Sequence, residues 1–209
     1  MNLIIDIQTE AVLKKLEHPF LPNDITAGFQ PFYVETRGGD LDQSESITGS
    51  MLIKKMAEQY MRIPKIDVFT KRYEKPRAFV SEQEVSVSFS HTDHALVAAI
   101  SRNCNVGVDM ERTGRNVHQR LKVRMKHPDE RDTLYENLEP IRIWTLKEAA
   151  LKMIGTGLRK PMNSLIINRE DDSLFSVQFD DGKQAKICSF KYQYYWISIC
   201  YHNNTVSSH

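Results

Sequence analysis

The chain has 209 residues, with 28 Lys+Arg against 27 Asp+Glu and a net charge of +1. That length allows one large domain or two of about 100 residues. It buries roughly 70% of the unfolded surface, so folding needs no disulfide or metal staple. Near-neutral charge and ordinary globular composition, with 41% hydrophobic and 26% charged residues, exclude a histone-like polycation and an acidic tail protein. The three cysteines, Cys104, Cys188 and Cys200, share no metal-ligand spacing and suit a reducing compartment. Met1–Ile7 lacks a basic leader region, and no run of 18 apolar residues occurs. The expectation is a cytoplasmic protein with no signal peptide and no membrane partner.

Charge is unevenly spread. Residues 1–50 carry 3 basic and 8 acidic side chains, net −5; residues 51–130 carry 15 and 10, net +5. An anionic partner would therefore be met by the middle of the chain.

In chain order, Thr9–Leu16 reads as a short amphipathic helix. Pro19, Pro22, Gly28 and Pro31 then mark an irregular stretch. Ser44–Met61 is a stronger helix, with Ile47, Met51, Met56 and Tyr60 close to one face. Ile66–Thr70 reads as a strand. Val85, Val87 and Phe89 alternate with Ser86, Ser88 and Ser90, the pattern of a half-buried strand. Thr92-Asp93-His94 would turn it into a buried strand over Ala95–Ile100. Val106–Met110 is another strand. Residues 129–138 and 140–154 read as helices, the second closed by Gly155, Gly157 and Pro161. Leu165–Ile167, Leu174–Phe179, Ala185–Phe190 and Tyr194–Tyr201 read as strands, with Asp180-Asp181-Gly182 as a hairpin turn. Successive antiparallel neighbours predict an α+β fold. No sequence repeat links the two halves.

Three groups could carry chemistry. In Gly107-Val108-Asp109-Met110-Glu111, two carboxylates two apart on a strand share one face. They read either as solvated surface acids or as ligands of a hard divalent cation. In Trp144-x-x-Lys147-Glu148-x-x-x-Lys152, the residues Trp144, Glu148 and Lys152 lie on one helix face. This is either an exposed Glu–Lys pair or a site wall. Ser88-Phe89-Ser90-His91-Thr92 is either a polar strand end or a cradle for phosphate oxygens.

Together these groups resemble the 4′-phosphopantetheinyl transferase superfamily, specifically its Sfp-like branch. The matching residues are Gly107-Val108-Asp109, Glu111, Trp144-Thr145-x-Lys147-Glu148-Ala149 and Lys152. Upstream are Ser90-His91 and Tyr73-x-Lys75-Pro76, and downstream is Gly155-x-Gly157-Leu158. Glu45-Ser46 departs from the family, whose members often have an Arg and a Thr or Ser there. The resemblance implies two similar α+β halves joined near residues 101–105 as an intramolecular pseudo-dimer, residues 1–102 and 103–209, in a monomeric chain. It implies transfer of 4′-phosphopantetheine from coenzyme A to a carrier-protein serine. Asp109, Glu111 and Glu148 would hold Mg²⁺ or Mn²⁺. Glu148 and Lys152 would be catalytic. Lys75, Pro76, Ser90, His91, Asp109 and Lys152 would bind the coenzyme. The basic stretch Arg115–Lys126, with Val117, Leu121, Val123 and Met125 interleaved, would dock an acidic acyl or peptidyl carrier protein rather than nucleic acid. Two other readings stand beside this one: a non-catalytic carrier-binding module, and a metal-dependent pyrophosphate hydrolase.

Overall fold

The computed structural model describes residues 12–31, 41–71 and 74–203. The elements run β1 (Lys14–Leu16), β2 (Ile25–Pro31), α1 (Leu41–Met61), β3 (Asp67–Phe69), β4 (Arg77–Val80), β5 (Gln83–Thr92) and β6 (Ala95–Ser101). Then come β7 (Cys104–Arg112), α2 (Gln119–Met125), α3 (Asp132–Asn137), α4 (Pro140–Ile154), β8 (Ile166–Arg169), β9 (Leu174–Gln178), β10 (Gln184–Tyr192) and β11 (Tyr195–Asn203). Short 3₁₀ turns at Gly157–Arg159 and Met162–Ser164 follow α4. The expected α+β class is observed.

The strands form two antiparallel sheets. One has the order β1-β2-β6-β5-β4-β3 and the other β7-β11-β10-β9-β8. The two sheets repeat one topology. A first strand leads into a long helix, then four strands form a meander whose last member returns beside the first. In the first copy β2 pairs with β6, and in the second β7 pairs with β11.

Period-two alternation assigns each face. In β6, Leu96, Ala98 and Ile100 join the core under α1, while Ala95, Val97 and Ala99 face the other way. Those three meet Val106, Val108 and Met110 of β7 and Ile197 and Ile199 of β11 in a core shared by the two sheets. Beyond the second sheet, α4 covers Phe175, Val177 and Ile187. The layers run α1, first sheet, second sheet, α4.

The seam between the sheets is polar where β5 meets β7. The serines of β5 face β7 while Val85, Val87 and Phe89 join the α1 core. Ser86 Oγ accepts from the Val106 N–H (2.9 Å) and Ser88 Oγ from the Val108 N–H (3.0 Å). Lys75 fastens the same seam, donating to Ser86 Oγ (3.3 Å), Val106 O (2.9 Å) and Met153 O (2.8 Å). Burial lowers its ammonium pKa to about 8.

Several expectations change. Lys14–Leu16 is a strand, not part of a helix; it pairs with Ala27–Phe29 of β2, and residues 9–11 lie outside the described residues. Sheet pairing overrides a weak local preference there. The supposed irregular stretch contains β2, whose Gly28 gives room for α1: a Cβ would sit 2.9 Å from Met56 Sδ. The α1 face is rotated from the expected one. Leu52, Ile53, Met56 and Ala57 are buried, while Ile47 and Met51 are more than half exposed. The helix expected over 129–138 shortens to α3, whereas 140–154 forms α4 as read. Between Ile66 and Thr70 the strand is β3.

Gly107 fixes the approach of α4 to β7, since a Cβ would lie 2.1 Å from Ala149 O and 2.2 Å from Met153 N. Gly107→Ala should therefore destabilise the fold by about 3 kcal/mol or more, read as a lower urea midpoint. Lys75 gives a pH signature. Its amine titrates near 10.4 when unfolded and about 8 in the fold. Between those values the unfolded chain binds more protons, so this group makes stability rise with pH. The stability difference between wild type and Lys75→Met should climb across that window and be flat below it in denaturant titrations.

Candidate functional site

The far end of the seam carries the acids. In β7, Asp109 and Glu111 follow Gly107 on the side that α4 approaches. Asp109 is buried and Glu111 half-buried. From α4, Glu148 and Lys152 project one turn apart, with Glu148 buried and Trp144 packed on the core beneath. From β5, Ser90 continues the line of Ser86 and Ser88.

Three of these side chains close on one another. Ser90 Oγ donates to Asp109 Oδ1 (2.8 Å). Lys152 Nζ donates to Asp109 Oδ1 (2.7 Å) and to Ser90 Oγ (2.9 Å). Asp109 Oδ2 is buried with no hydrogen-bond partner among the described residues. Glu148 has its carboxyl pKa pushed up to about 7, first by burial and then by the Asp109 carboxylate, with Lys152 opposing. Glu111 is raised as well, by burial foremost and by Asp109, against the pull of Arg115, whose Nη1 bonds Glu111 Oε2.

Among the described residues no group of three or more His, Cys, Asp or Glu is arranged to hold a metal ion. The donor chemistry of Asp109, Glu111 and Glu148 nonetheless fits a hard divalent cation. All three are oxygen donors, two have carboxyl pKa values raised in part by a neighbouring carboxylate, and one presents an orphaned buried oxygen.

The other expected residues divide. Lys75, Pro76, Glu148 and Lys152 line a cleft of about 600 Å³ together with Phe89 and Gly155. This cleft lies between elements of the two sheets. His91 and Glu111 instead line a neighbouring cleft of about 800 Å³ with Asp93, Arg112 and Arg115. Ser90 and His91 do not point together: they are consecutive on β5, so Ser90 turns into the seam and His91 outward into solvent. The three N–H donors of Lys75 all meet acceptors within the fold. Tyr73 and the side chains of Glu45 and Ser46 lie outside the described residues.

The basic stretch also changes. Val117 and Met125 belong to the core and Leu121 packs on it, so Val123, 67% exposed, is the apolar residue that α2 turns outward. Arg115, Arg120 and Arg124 are exposed beside it.

Two groups escape sequence reasoning. Lys147 is 0% exposed and lies 2.8 Å from the buried Glu130 carboxylate. A buried acid in Asp129-Glu130 has no local signal to distinguish it from an exposed one. The first sheet also holds a faint counterpart of the site. Gly28 lies under Met56, and Gln30, two residues on, accepts from Lys55 Nζ (3.5 Å). In the same spacing, Gly107 lies under Met153, and Asp109 accepts from Lys152.

Comparison with known proteins gives one family model and several relatives. The family model of the 4′-phosphopantetheinyl transferase superfamily matches residues 105–200. The 4′-phosphopantetheinyl transferase gsp of Aneurinibacillus migulanus is 27% identical over 167 residues, 71% of this chain and 69% of that protein. A 4′-phosphopantetheinyl transferase of Bacillus subtilis is 24% identical over 68% of this chain, and 4′-phosphopantetheinyl transferase ffp of the same organism 23% over 67%. The chain spans just under two thirds of these last two, 66% and 65% of their lengths. Residues 105–200, which carry Asp109, Glu111, Glu148 and Lys152, are thus the part of the chain that is similar to the 4′-phosphopantetheinyl transferase superfamily.

Proposed function

We propose that this chain transfers the 4′-phosphopantetheine of coenzyme A to a serine of an acyl or peptidyl carrier protein, as a cytoplasmic monomer. The reading rests on one observation. Asp109, Ser90 and Lys152 converge from three elements beside a raised Glu148, and all of these but Ser90 lie in the segment that matches the superfamily.

The serine oxygen forms a new bond to the phosphorus that bears pantetheine. The bond from that phosphorus to the bridging oxygen breaks, and the electron pair leaves with adenosine 3′,5′-bisphosphate. The serine proton goes to Glu148, directly or through water. Lys152 sets its ammonium against the charge that grows on the pyrophosphate oxygens, a task it can take up by turning from Asp109 into the cleft it lines. Asp109, Glu111 and Glu148 would hold Mg²⁺ or Mn²⁺, which supplies charge neutralisation at those same oxygens. Lys75, Pro76, Ser90 and His91 are assigned to the nucleotide end. Lys75 would exchange one of its three bonds for a phosphate oxygen, and His91 would reach it from the neighbouring cleft. The two halves divide at residues 102 and 103, with the acids in the second. The carrier would dock on Arg120, Val123 and Arg124 of α2.

Incubation with coenzyme A, Mg²⁺ and several apo-carriers should add the phosphopantetheine mass to a carrier serine, followed by mass spectrometry. Cleavage of coenzyme A without a modified carrier would indicate hydrolysis and overturn the proposal. Glu148→Gln and Asp109→Asn should each lower the transfer rate about 100-fold or more with the fold intact by circular dichroism. Near-normal rates in both would remove the acid site from the mechanism.

A further inference from the structure

Lys147 precedes Glu148 on α4 but points the opposite way, into the core. Its ammonium is fully buried. It donates to Met125 O (2.5 Å), the Glu130 carboxylate (2.8 Å), Leu165 O (2.9 Å) and Met162 O (3.3 Å). Glu130 gathers as many partners. Its Oε1 accepts from the Ile167 N–H (2.8 Å), and its Oε2 from the His127 N–H (2.9 Å) and the Tyr135 hydroxyl (2.5 Å).

A buried ion pair is a poor source of stability, because desolvation offsets most of its attraction. What it provides is geometry. Met125 is the last residue of α2, and its carbonyl is one of the orphan acceptors of a helix C-terminus. The Lys147 ammonium caps it, where a cation is favoured. The cap is 2.5 Å long and comes from the residue adjacent to Glu148. Glu130 ties the loop after α2 to the same point and to β8. Arg120, Val123 and Arg124 are thus held in fixed register with Glu148 and Lys152, which lie on another side of α4. Beyond this cap α2 is held by its core contacts through Met125, its one buried residue, and Leu121.

We propose that the Lys147–Glu130 pair is a positioning element that locks α2 to α4 and so sets where a carrier protein seated on α2 presents its serine to the acid site. This rests on the transferase reading above.

The test compares wild type, Glu130→Gln, Lys147→Met and the double variant, which leaves no lone buried charge and so guards against simple unfolding. Steady-state transfer to an apo-carrier and calorimetry with coenzyme A are paired with hydrogen–deuterium exchange of the 119–125 amides. Every folded variant should raise the carrier KM roughly tenfold, leave coenzyme A affinity within about twofold, and exchange faster at 119–125. An unchanged carrier KM in a folded variant, or a parallel loss of coenzyme affinity, overturns the proposal. If wild type transfers nothing to any carrier, the transferase reading has failed by itself. Exchange at 119–125 then still judges the lock, and unchanged protection in the folded double variant rejects it.

Discussion

The hydroxyls of Ser86 and Ser88 satisfy the outer N–H groups of β7, and the rest of the arrangement depends on that seam. Beta-7 is the edge strand of its sheet, and its outward amides have no strand to meet. Left dry they would each carry the desolvation penalty of an unmade hydrogen bond. Left wet they would prevent the two sheets from sharing the core around Val97 and Ile199. Short hydroxyl side chains resolve this conflict at a spacing of two residues. The edge of one sheet comes to lie across the face of the other, and Lys75 bolts the junction to the end of α4.

The chemistry grows from the end of the same seam. Ser90 continues the serine row but meets a carboxylate where its neighbours meet backbone N–H groups. Gly107 allows α4 to approach β7 so closely that Glu148 and Lys152 reach Asp109's surroundings. Close approach removes water, and the removal of water is the first cause of the raised Glu148 and Glu111 carboxyls. One glycine therefore links packing to acidity: the contact that compacts the second half also tunes its acids.

Elements whose periodicity and buried face agree were legible in the sequence. The Val/Ser alternation of β5 and the helix over residues 140–154 are observed where expected. The acids, the Ser-His pair and the helical Glu–Lys pair were likewise visible as residue types at set spacings. Elements that exist only through partners were hidden. Beta-1 has three residues and is a strand because β2 lies beside it. Beta-2 carries a glycine and a proline that read as loop signals, yet Gly28 serves α1 packing and Pro31 ends the strand. The divergence of Ser90 and His91 follows from strand alternation once β5 extends through Thr92, whereas the sequence pattern suggested a turn. The pairing of Lys147 with Glu130 was hidden for a different reason: two charges 17 residues apart reveal their burial only when the loops after α2 and α4 close over them.

The repeated topology carries a further meaning in the pair Gln30–Lys55. A symmetric dimer of identical protomers would have to build its reactive pocket twice. Here one covalent chain holds both copies, and the copy with Gln30 keeps the glycine, the methionine and the lysine of the pattern but has an uncharged amide where the other has Asp109. Covalent linkage lets the two copies differ. At the matching position the first copy offers a neutral amide and the second a carboxylate, so only the second can attract a cation there.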